Sequence, residues 1–242
     1  MSHVTESYRE TIERIIPVAE QFISDHQLQY PIANSTQVLS EMGYYIVKAQ
    51  APNNLSGFYM KKDRFPFIFV NTNHSKGRQQ FSLWHEVYHH YMNHKNGISD
   101  FNHKSLEERE AEIFAGIVLL PNAEIQKWMA AYDDIMRPDV IARMSVHYQI
   151  SFGAAMVRAM QLNPIPRDTY QQLNALSRLD HKAQLYAIYT GNDLPTDILE
   201  PTNNTQISSN IMTVLEHNYN KGLVSGAKIN EIIDKIEVLN YD

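Results

Sequence analysis

The 242-residue sequence contains no cysteine, and this absence excludes disulfide bonds and thiolate metal ligands. Any metal site must therefore be built from histidine and carboxylate side chains. Basic residues are also scarce, since 21 Lys and Arg face 27 Asp and Glu and the net charge is −6. A general nucleic-acid-binding protein needs a basic face that displaces counterions from phosphate, so we expect no direct nucleic-acid binding.

Long apolar runs are missing as well. No window approaches the run of about 18 uncharged apolar residues that indicates a membrane span, so we expect no membrane partner. The first residues, MSHVTESYRE, lack the basic start and apolar segment of a secretory signal peptide, and we expect a cytoplasmic protein. Apolar residues form 43% of the chain and charged residues 20%, which is typical of a globular domain.

Apolar spacing predicts a mostly helical chain. Residues 4–25 repeat apolar side chains with the period of an amphipathic helix. Further helical patterns cover roughly residues 77–93, 106–120, 122–132 and 138–148, and Ser151 is a favourable N-cap for one more helix. Strand-like runs lie between these parts at Tyr44 to Lys48, Gly57 to Met60 and Pro66 to Asn71. Turn-forming residues separate the runs, so we predict a small antiparallel sheet.

The stretch LPTDILEPTNNTQISSN at residues 194–210 is rich in Pro, Asn, Thr and Ser, which is typical of a linker. It predicts a main domain of residues 1–193 and a C-terminal part, residues 194–242, with a linker and a helical hairpin. The last helix has an apolar stripe that includes Ile229, Ile233 and Leu239. Such a stripe usually packs against its own domain, and partner docking or dimerisation is the alternative.

The most informative segment is FSLWHEVYH at residues 81–89, in which His85 and His89 are four residues apart. On a helix, side chains at this spacing project from one face on successive turns, so both imidazoles can reach one metal ion. Glu86 lies about 100° around the helix from His85. It can therefore flank the ion and reach its bound water without being a ligand.

A coincidental polar face is the alternative interpretation, because short HExxH matches arise often by chance. The neighbouring residues argue against it, since Phe81, Leu83 and Trp84 precede the motif and Tyr91 and Met92 follow it, as in a buried helix. Burying two histidines and a glutamate among apolar side chains costs free energy unless they are coordinated or paired. Metal binding is therefore the favoured interpretation.

A catalytic zinc site needs a third protein ligand and leaves a fourth position for water. The pattern HExxHxxGxxH supplies a third histidine, but Met92 and Lys95 stand where its glycine and histidine should be. A glutamate from the next predicted helix is the alternative, and spacing leaves Glu107, Glu108, Glu110 and Glu112 open. Glu108 also fits a capping box with Ser105, which is a purely structural role.

Two segments follow each other in the chain, RQQFSLWHEVYH at residues 78–89 and EREAEIFAGIVLLP at residues 108–121. Together they resemble the ImmA/IrrE family of zinc metallopeptidases, in which an ExxAxxFAxxLLxP-like signature follows the HExxH motif. The strand-like FIFVN at residues 67–71 is similar to the family in place and character. The resemblance covers roughly residues 40–165.

The resemblance implies an α+β fold, namely a mostly helical zincin-like (gluzincin-like) domain with a small antiparallel sheet beside the active-site helix. It also implies one zinc ion per chain, held by His85, His89 and Glu108, with Glu86 as the catalytic base. Glu112 stands where the family often has Asn or Asp. It is predicted to hydrogen-bond a ligand histidine, and a solvated surface acid is the alternative.

By the same resemblance we expect a zinc-dependent endopeptidase that cleaves a regulatory protein, typically a helix-turn-helix transcriptional repressor, in a stress-response or mobile-element switch. The alternative is a non-hydrolytic, antitoxin-like regulator that keeps the zinc fold and acts by protein binding. The presence of Glu86 favours the enzyme, because metal binding alone does not require that acid.

Residues 139–160 resemble a helix-turn-helix, which would indicate DNA binding. The second of the two helices offers only Arg158 as a base, however, so we favour a pair of packed core helices. His90 and His94 match no family role, and we interpret them as surface or loosely packed histidines rather than ligands.

Overall fold

The computed structural model describes residues 6–62, 65–94, 97–99 and 105–238. Its helices are α1 (Tyr8–Asp25), α2 (Ser35–Glu41), α3 (Lys76–Tyr91), α4 (Leu106–Leu119), α5 (Asn122–Ala131), α6 (Pro138–Tyr148), α7 (Phe152–Leu162), α8 (Arg167–Leu176), α9 (Lys182–Thr190), α10 (Ser209–Asn220) and α11 (Gly226–Val238). Its strands are β1 (Tyr45–Ala49), β2 (Gly57–Lys62), β3 (Phe65–Asn71), β4 (Gly97–Ser99) and β5 (Gln206–Ile207). The predicted class, a mostly helical zincin-like α+β fold, is confirmed.

Several helices begin where the sequence provides a cap. Ser7 and Glu10 form a reciprocal capping box at the start of α1. The hydroxyl of Ser151 accepts a hydrogen bond from the backbone N–H of Ala154 at 3.1 Å, which confirms the predicted N-cap of α7. Helices α3 to α7 match the predicted ranges closely. Helix α2 and strands β4 and β5 were not predicted, because segments of two to seven residues are too short to show a period. Helices α8 and α9 were not predicted as separate elements either.

The strands form one mixed sheet in the order β4-β2-β3-β1-β5. Strand β2 runs antiparallel to β3 and to β4, and β5 runs antiparallel to β1. Strand β1, however, runs parallel to β3, with Tyr45 opposite Phe67. The prediction of an antiparallel sheet was therefore wrong for this pair. The chain leaves β1, passes the end of β3 and enters the sheet on the far side of β3 as β2.

The loop that makes this crossing is held by Asn71, the last residue of β3. Its side-chain carbonyl accepts hydrogen bonds from the backbone N–H groups of Ala51 and Asn73, both at 3.0 Å. Its amide donates to the carbonyls of Ala51, Pro52 and Leu55 at 2.7–3.0 Å. One buried side chain thus satisfies several backbone groups of an irregular loop, which would otherwise lose hydrogen bonds on burial.

Helix α3 lies between the sheet and the other helices. It contacts β2 and β3 on one side and α4 on the other, and α4 packs in turn against α1. Every residue from Ser82 to His89 is buried as a result. The indole N–H of Trp84 finds a partner even there, because it donates to the Ser35 hydroxyl at 3.0 Å. The helix that carries the HExxH motif is therefore enclosed by protein.

Helices α6 and α7, the two helices of the helix-turn-helix-like segment, pack against each other. Arg158 on α7 is only 2% exposed, and its guanidinium donates to the carbonyl oxygen of Leu120 at 3.0 Å and to Asn122 Oδ1 at 2.7 Å. The one base of the second helix therefore holds the start of α5 and cannot reach a DNA phosphate. The interpretation as core helices is confirmed.

The predicted linker, residues 194–210, makes several contacts with the rest of the chain. The backbone N–H of Lys76 donates to the carbonyl of Glu200 at 2.8 Å, and the Lys76 ammonium contacts Asp197 at 2.7 Å. Strand β5 pairs with β1 within the same stretch. The division of the chain at residue 193 stays a prediction.

Helices α10 and α11 correspond to the two predicted C-terminal helical segments and contact each other. The stripe residues Ile229 and Ile233 are half-buried, and Leu239 lies outside the described residues. Over the part of the chain that the structure describes, no helix has both the length and the apolar character needed to cross a membrane.

Candidate metal centre

Helix α3 presents His85 and His89 toward the first turn of α4, which carries Glu108. The two histidines are buried, with 1% and 8% of their surface exposed. Ser105 caps α4, because its hydroxyl accepts a hydrogen bond from the backbone N–H of Glu108 at 3.2 Å. The carboxylate of Glu108 contacts both histidines. The glutamate thus takes part in the cap with its backbone while its side chain faces the imidazoles.

Three donor atoms converge between these side chains. His85 Nε2 lies 3.0 Å from Glu108 Oε2 and 3.2 Å from His89 Nε2, and His89 Nε2 lies 3.4 Å from Glu108 Oε1. Ligand atoms bound tetrahedrally at about 2.0–2.1 Å from zinc are separated by about 3.3 Å. The three separations are therefore close to the edges of a zinc coordination tetrahedron. Two imidazoles and one carboxylate are also a donor set that zinc accepts in catalytic sites.

His85, His89 and Glu108, which we call the trio, carry charges that favour the binding of a cation. Burial disfavours a positive charge on His85, but its hydrogen bond to Glu108 and the nearby carboxylates outweigh that effect, and the pKa of His85 is raised. Burial and the neighbouring His85 lower the pKa of His89 to about 4. The two imidazoles therefore form a coupled pair in which His85 takes up a proton in preference to His89. Only a neutral imidazole binds a metal ion, so an ion would compete with a proton for His85.

Glu86 follows His85 on α3 and is 1% exposed. It faces Gly57, the first residue of β2, where a Cβ atom would lie 3.5 Å from Glu86 Oε1 and only 2.7 Å from the backbone oxygen of Phe69. A side chain at position 57 would thus clash with β3 and crowd the carboxylate. Sequence reasoning missed Gly57, although a glycine at a strand position is a recognised sign of close approach.

Glu110, another candidate ligand, forms its hydrogen bonds with residues outside the trio. It is 7% exposed, and its carboxylate accepts hydrogen bonds from the Tyr88 hydroxyl at 2.7 Å and from the Arg14 guanidinium. This arrangement links α3, α4 and α1 around the site. Among the glutamates that spacing left open, Glu108 is the one that the geometry groups with the two histidines.

Glu107 and Glu112 are exposed on α4. The charge of Glu112 contributes to the raised pKa of His85, so the two groups are near each other. Within the described residues, Glu112 forms no hydrogen bond with either ligand-candidate histidine. Its predicted role beside the metal site stays a prediction.

The two extra histidines contact their surroundings more closely than predicted. His94 Nδ1 lies 3.0 Å from His89 Nδ1, and His90 Nδ1 lies 2.8 Å from the Tyr44 hydroxyl. His94 is half-buried, and its ring contacts the nitrogen of His89 that faces away from Glu108, a contact that the interpretation as a surface or loosely packed histidine did not include. A partner at this nitrogen fixes the orientation and tautomer of a metal-binding imidazole. The signal that could have found His94 is its position just after the helix that carries His89. That neither extra histidine is a ligand stays a prediction.

Comparison with known proteins agrees with this arrangement. The family model of the peptidase M78 family, described as the IrrE N-terminal-like domain, matches residues 39–160. The match runs from the end of α2 into α7 and includes His85, Glu86, His89 and Glu108. No curated protein is significantly similar to the chain.

Proposed function

Because the chain belongs to the peptidase M78 family of IrrE N-terminal-like domains, we propose that it is a zinc-dependent endopeptidase. The observation that carries this proposal is the convergence of His85, His89 and Glu108, whose ligand atoms all lie within 4.8 Å of one another. These three residues would hold the ion. Zinc bound there would lower the pKa of a water molecule and polarise the scissile carbonyl group.

Glu86 supplies the acid-base chemistry in this proposal. Its carboxylate takes a proton from the attacking water and later gives that proton to the nitrogen of the leaving amine. The position next to His85 supports this role, because it places the carboxylate beside the trio without making it a member. Gly57 supports it too, since the absence of a side chain leaves space at Glu86 Oε1.

His94 and Glu110 act as positioning residues in the same proposal. His94 contacts the outer nitrogen of His89, and Glu110 ties Tyr88 of α3 to Arg14 of α1. The Glu110 contacts restrict the movement of α3 relative to α4 and α1, and the His94 contact restricts the rotation of the His89 ring. A catalytic site requires this rigidity, because small displacements of ligands and base lower the rate strongly.

The substrate that the family resemblance favours is a regulatory protein, and we propose a helix-turn-helix transcriptional repressor. The test is incubation of the zinc-loaded chain with the repressor encoded beside it, followed by mass spectrometry of the products. Cleavage at a defined peptide bond supports the proposal. A repressor that stays intact under every inducing condition contradicts this choice of substrate.

Glu86→Gln separates the enzyme from the alternative, a zinc-fold regulator that acts by binding. The variant is expected to keep its zinc and to lose about 10²–10⁴-fold in cleavage rate, the usual contribution of a general base. Glu107→Gln is the matched control, because Glu107 is exposed and lies outside the trio. If Glu86→Gln keeps the full cellular effect, the protein acts by binding and the peptidase proposal is wrong.

A further inference from the structure

Strand β1 carries a lysine on its buried face. Side chains alternate between the two faces of a strand, so Lys48 shares its face with Ile46, which is fully buried. Lys48 is itself only 7% exposed. Its ammonium nitrogen keeps some contact with solvent, but a charge at this depth costs free energy unless it is paired. Among the residues that the structure describes, however, no carboxylate, carbonyl or hydroxyl group forms a hydrogen bond or an ion pair with the Lys48 side chain.

Lys48 lines a cavity of about 240 Å³, which we call the Lys48 cavity. It is bounded by β1, by the first turn of α3 and by the segment that leads into β5. The side chains that matter for binding are Lys48, Lys76, Gln80, Gln149, Thr202 and Gln206. Two of the described lining residues are lysines and none is acidic. The cavity is therefore positive, and its walls are rich in amide and hydroxyl groups that can donate hydrogen bonds.

The N-terminal turn of α3 adds to the positive charge of the cavity. Helix α3 is 16 residues long, has no acidic residue in its first turn, and its N-cap residue Ser75 makes no side-chain capping hydrogen bond. The positive end of its dipole therefore adds to the charge of Lys48, whereas the charge of Lys76 is balanced by Asp197. The side-chain oxygen of Gln80, which is buried without a hydrogen-bond partner among the described residues, is an acceptor and does not itself favour an anion. Lys76 contacts Asp197, but that carboxylate lies outside the cavity lining.

The protonation of Lys48 fits the same picture. Burial, assisted by the charge of Lys76, lowers the pKa of Lys48 to about 8. These two lysines are the titratable groups among the described residues that line the cavity. An anion placed between them would offset both the burial and the repulsion.

We propose that the Lys48 cavity binds a small oxyanion, the phosphate or carboxylate group of a small molecule, through the Lys48 ammonium and the N-terminal turn of α3. The site is distinct from the candidate metal centre. His85 lies nine residues after Lys76 on α3, which corresponds to about 13 Å along the helix axis. Both sites are nevertheless built on one helix. A ligand in the cavity would fix the end of α3 opposite to the metal centre.

Titration calorimetry with inorganic phosphate tests the proposal, with sodium acetate as a second arm that distinguishes phosphate from carboxylate recognition. The metal-loaded wild-type chain is compared at constant ionic strength with Lys48→Met, which shortens the side chain by one atom and removes the charge. Lys127→Met is the matched control, because Lys127 is 70% exposed on α5. We expect saturable binding to the wild type and the control, and at least about tenfold weaker binding to Lys48→Met.

A second measurement follows the Lys48 side chain in the wild type by NMR. The midpoint of its titration should rise when phosphate is added, because a bound anion stabilises the charged form. Equal phosphate affinity of the wild type and Lys48→Met would overturn the proposal, and so would an unchanged Lys48 titration at saturating phosphate. Neither measurement depends on peptidase activity, so a failure here is distinguishable from a failure of the proposed function.

Discussion

The two ends of α3 bury polar groups in different ways. At the C-terminal end, His85 and His89 meet the carboxylate of Glu108 at 3.0–3.4 Å, and each buried group contacts another. At the N-terminal end, Lys48 is almost as deeply buried and meets a second lysine across a cavity. One end is thus a group of candidate metal ligands whose charges favour a cation. The other end is a positive cavity that, in our proposal, takes an anion.

The largest expected effect comes from removing the Glu108 carboxylate at the C-terminal end of α3. Glu108→Ala should lower zinc affinity by more than about 100-fold, because the loss of a ligand should exceed the 10–100-fold cost of losing a supporting contact. A competition titration with a chromogenic chelator measures the change. Glu107→Ala is the control and should bind zinc as the wild type does. Wild-type affinity in Glu108→Ala would exclude Glu108 as a ligand.

The second prediction concerns the charge of Lys48, which has no partner among the residues that the structure describes. Lys48→Met should raise the free energy of unfolding at pH 7 by about 3 kcal/mol, because the pKa of Lys48 is lowered from 10.5 to about 8 in the folded chain. Between those two pH values the unfolded chain binds more protons than the folded one, so wild-type stability rises with pH. The gain in Lys48→Met should therefore disappear above a pH of about 10.5.

Urea unfolding of both proteins at pH 7 and at high pH, without phosphate or other added oxyanions, measures this difference. Comparing the two proteins at each pH cancels the titration of all groups that they share. A Lys48→Met variant that is less stable than the wild type at pH 7 would show that the lysine has a partner in solution, and would remove the contrast between the two ends.

The smallest expected effect concerns the support of the metal ligands. His94→Ala should weaken zinc binding by about 10–100-fold, because it removes the contact with the outer nitrogen of His89. The same chelator competition measures it. His147→Ala, which removes an exposed histidine of α6, should leave the affinity unchanged. An unaltered affinity in His94→Ala would mean that the orientation of His89 is fixed by α3 alone.

The two ends of α3 also differ in how much of each site the sequence could predict. His85 and His89 are close because a helix repeats, so their spacing alone predicts the pair. Glu108 lies 19 residues beyond His89, and spacing left four glutamates open until the resemblance favoured one. The contacts of Glu110 with Tyr88 and Arg14 depend on the packing of three helices, which no local pattern encodes.

Features assembled from distant segments were not predictable. The Lys48 cavity combines β1, α3 and the stretch before β5, and residues 48 and 206 meet only because β5 pairs with β1. The parallel pairing of β1 with β3 was missed for a similar reason. The loop between β1 and β2 is held by Asn71 at the far end of β3, a contact that turn composition does not reveal. The positions of most longer elements up to α7 thus followed from local periodicity, whereas their neighbours in space did not.

The central claim is that His85, His89 and Glu108 hold a zinc ion, and metal content tests it most directly. The chain is purified without chelators from zinc-replete medium and analysed by elemental mass spectrometry beside His89→Ala, with circular dichroism to show that both are folded. We predict about one zinc per wild-type chain and its loss in the variant. A folded, zinc-replete wild-type chain without bound zinc would contradict the metal site and the peptidase proposal with it.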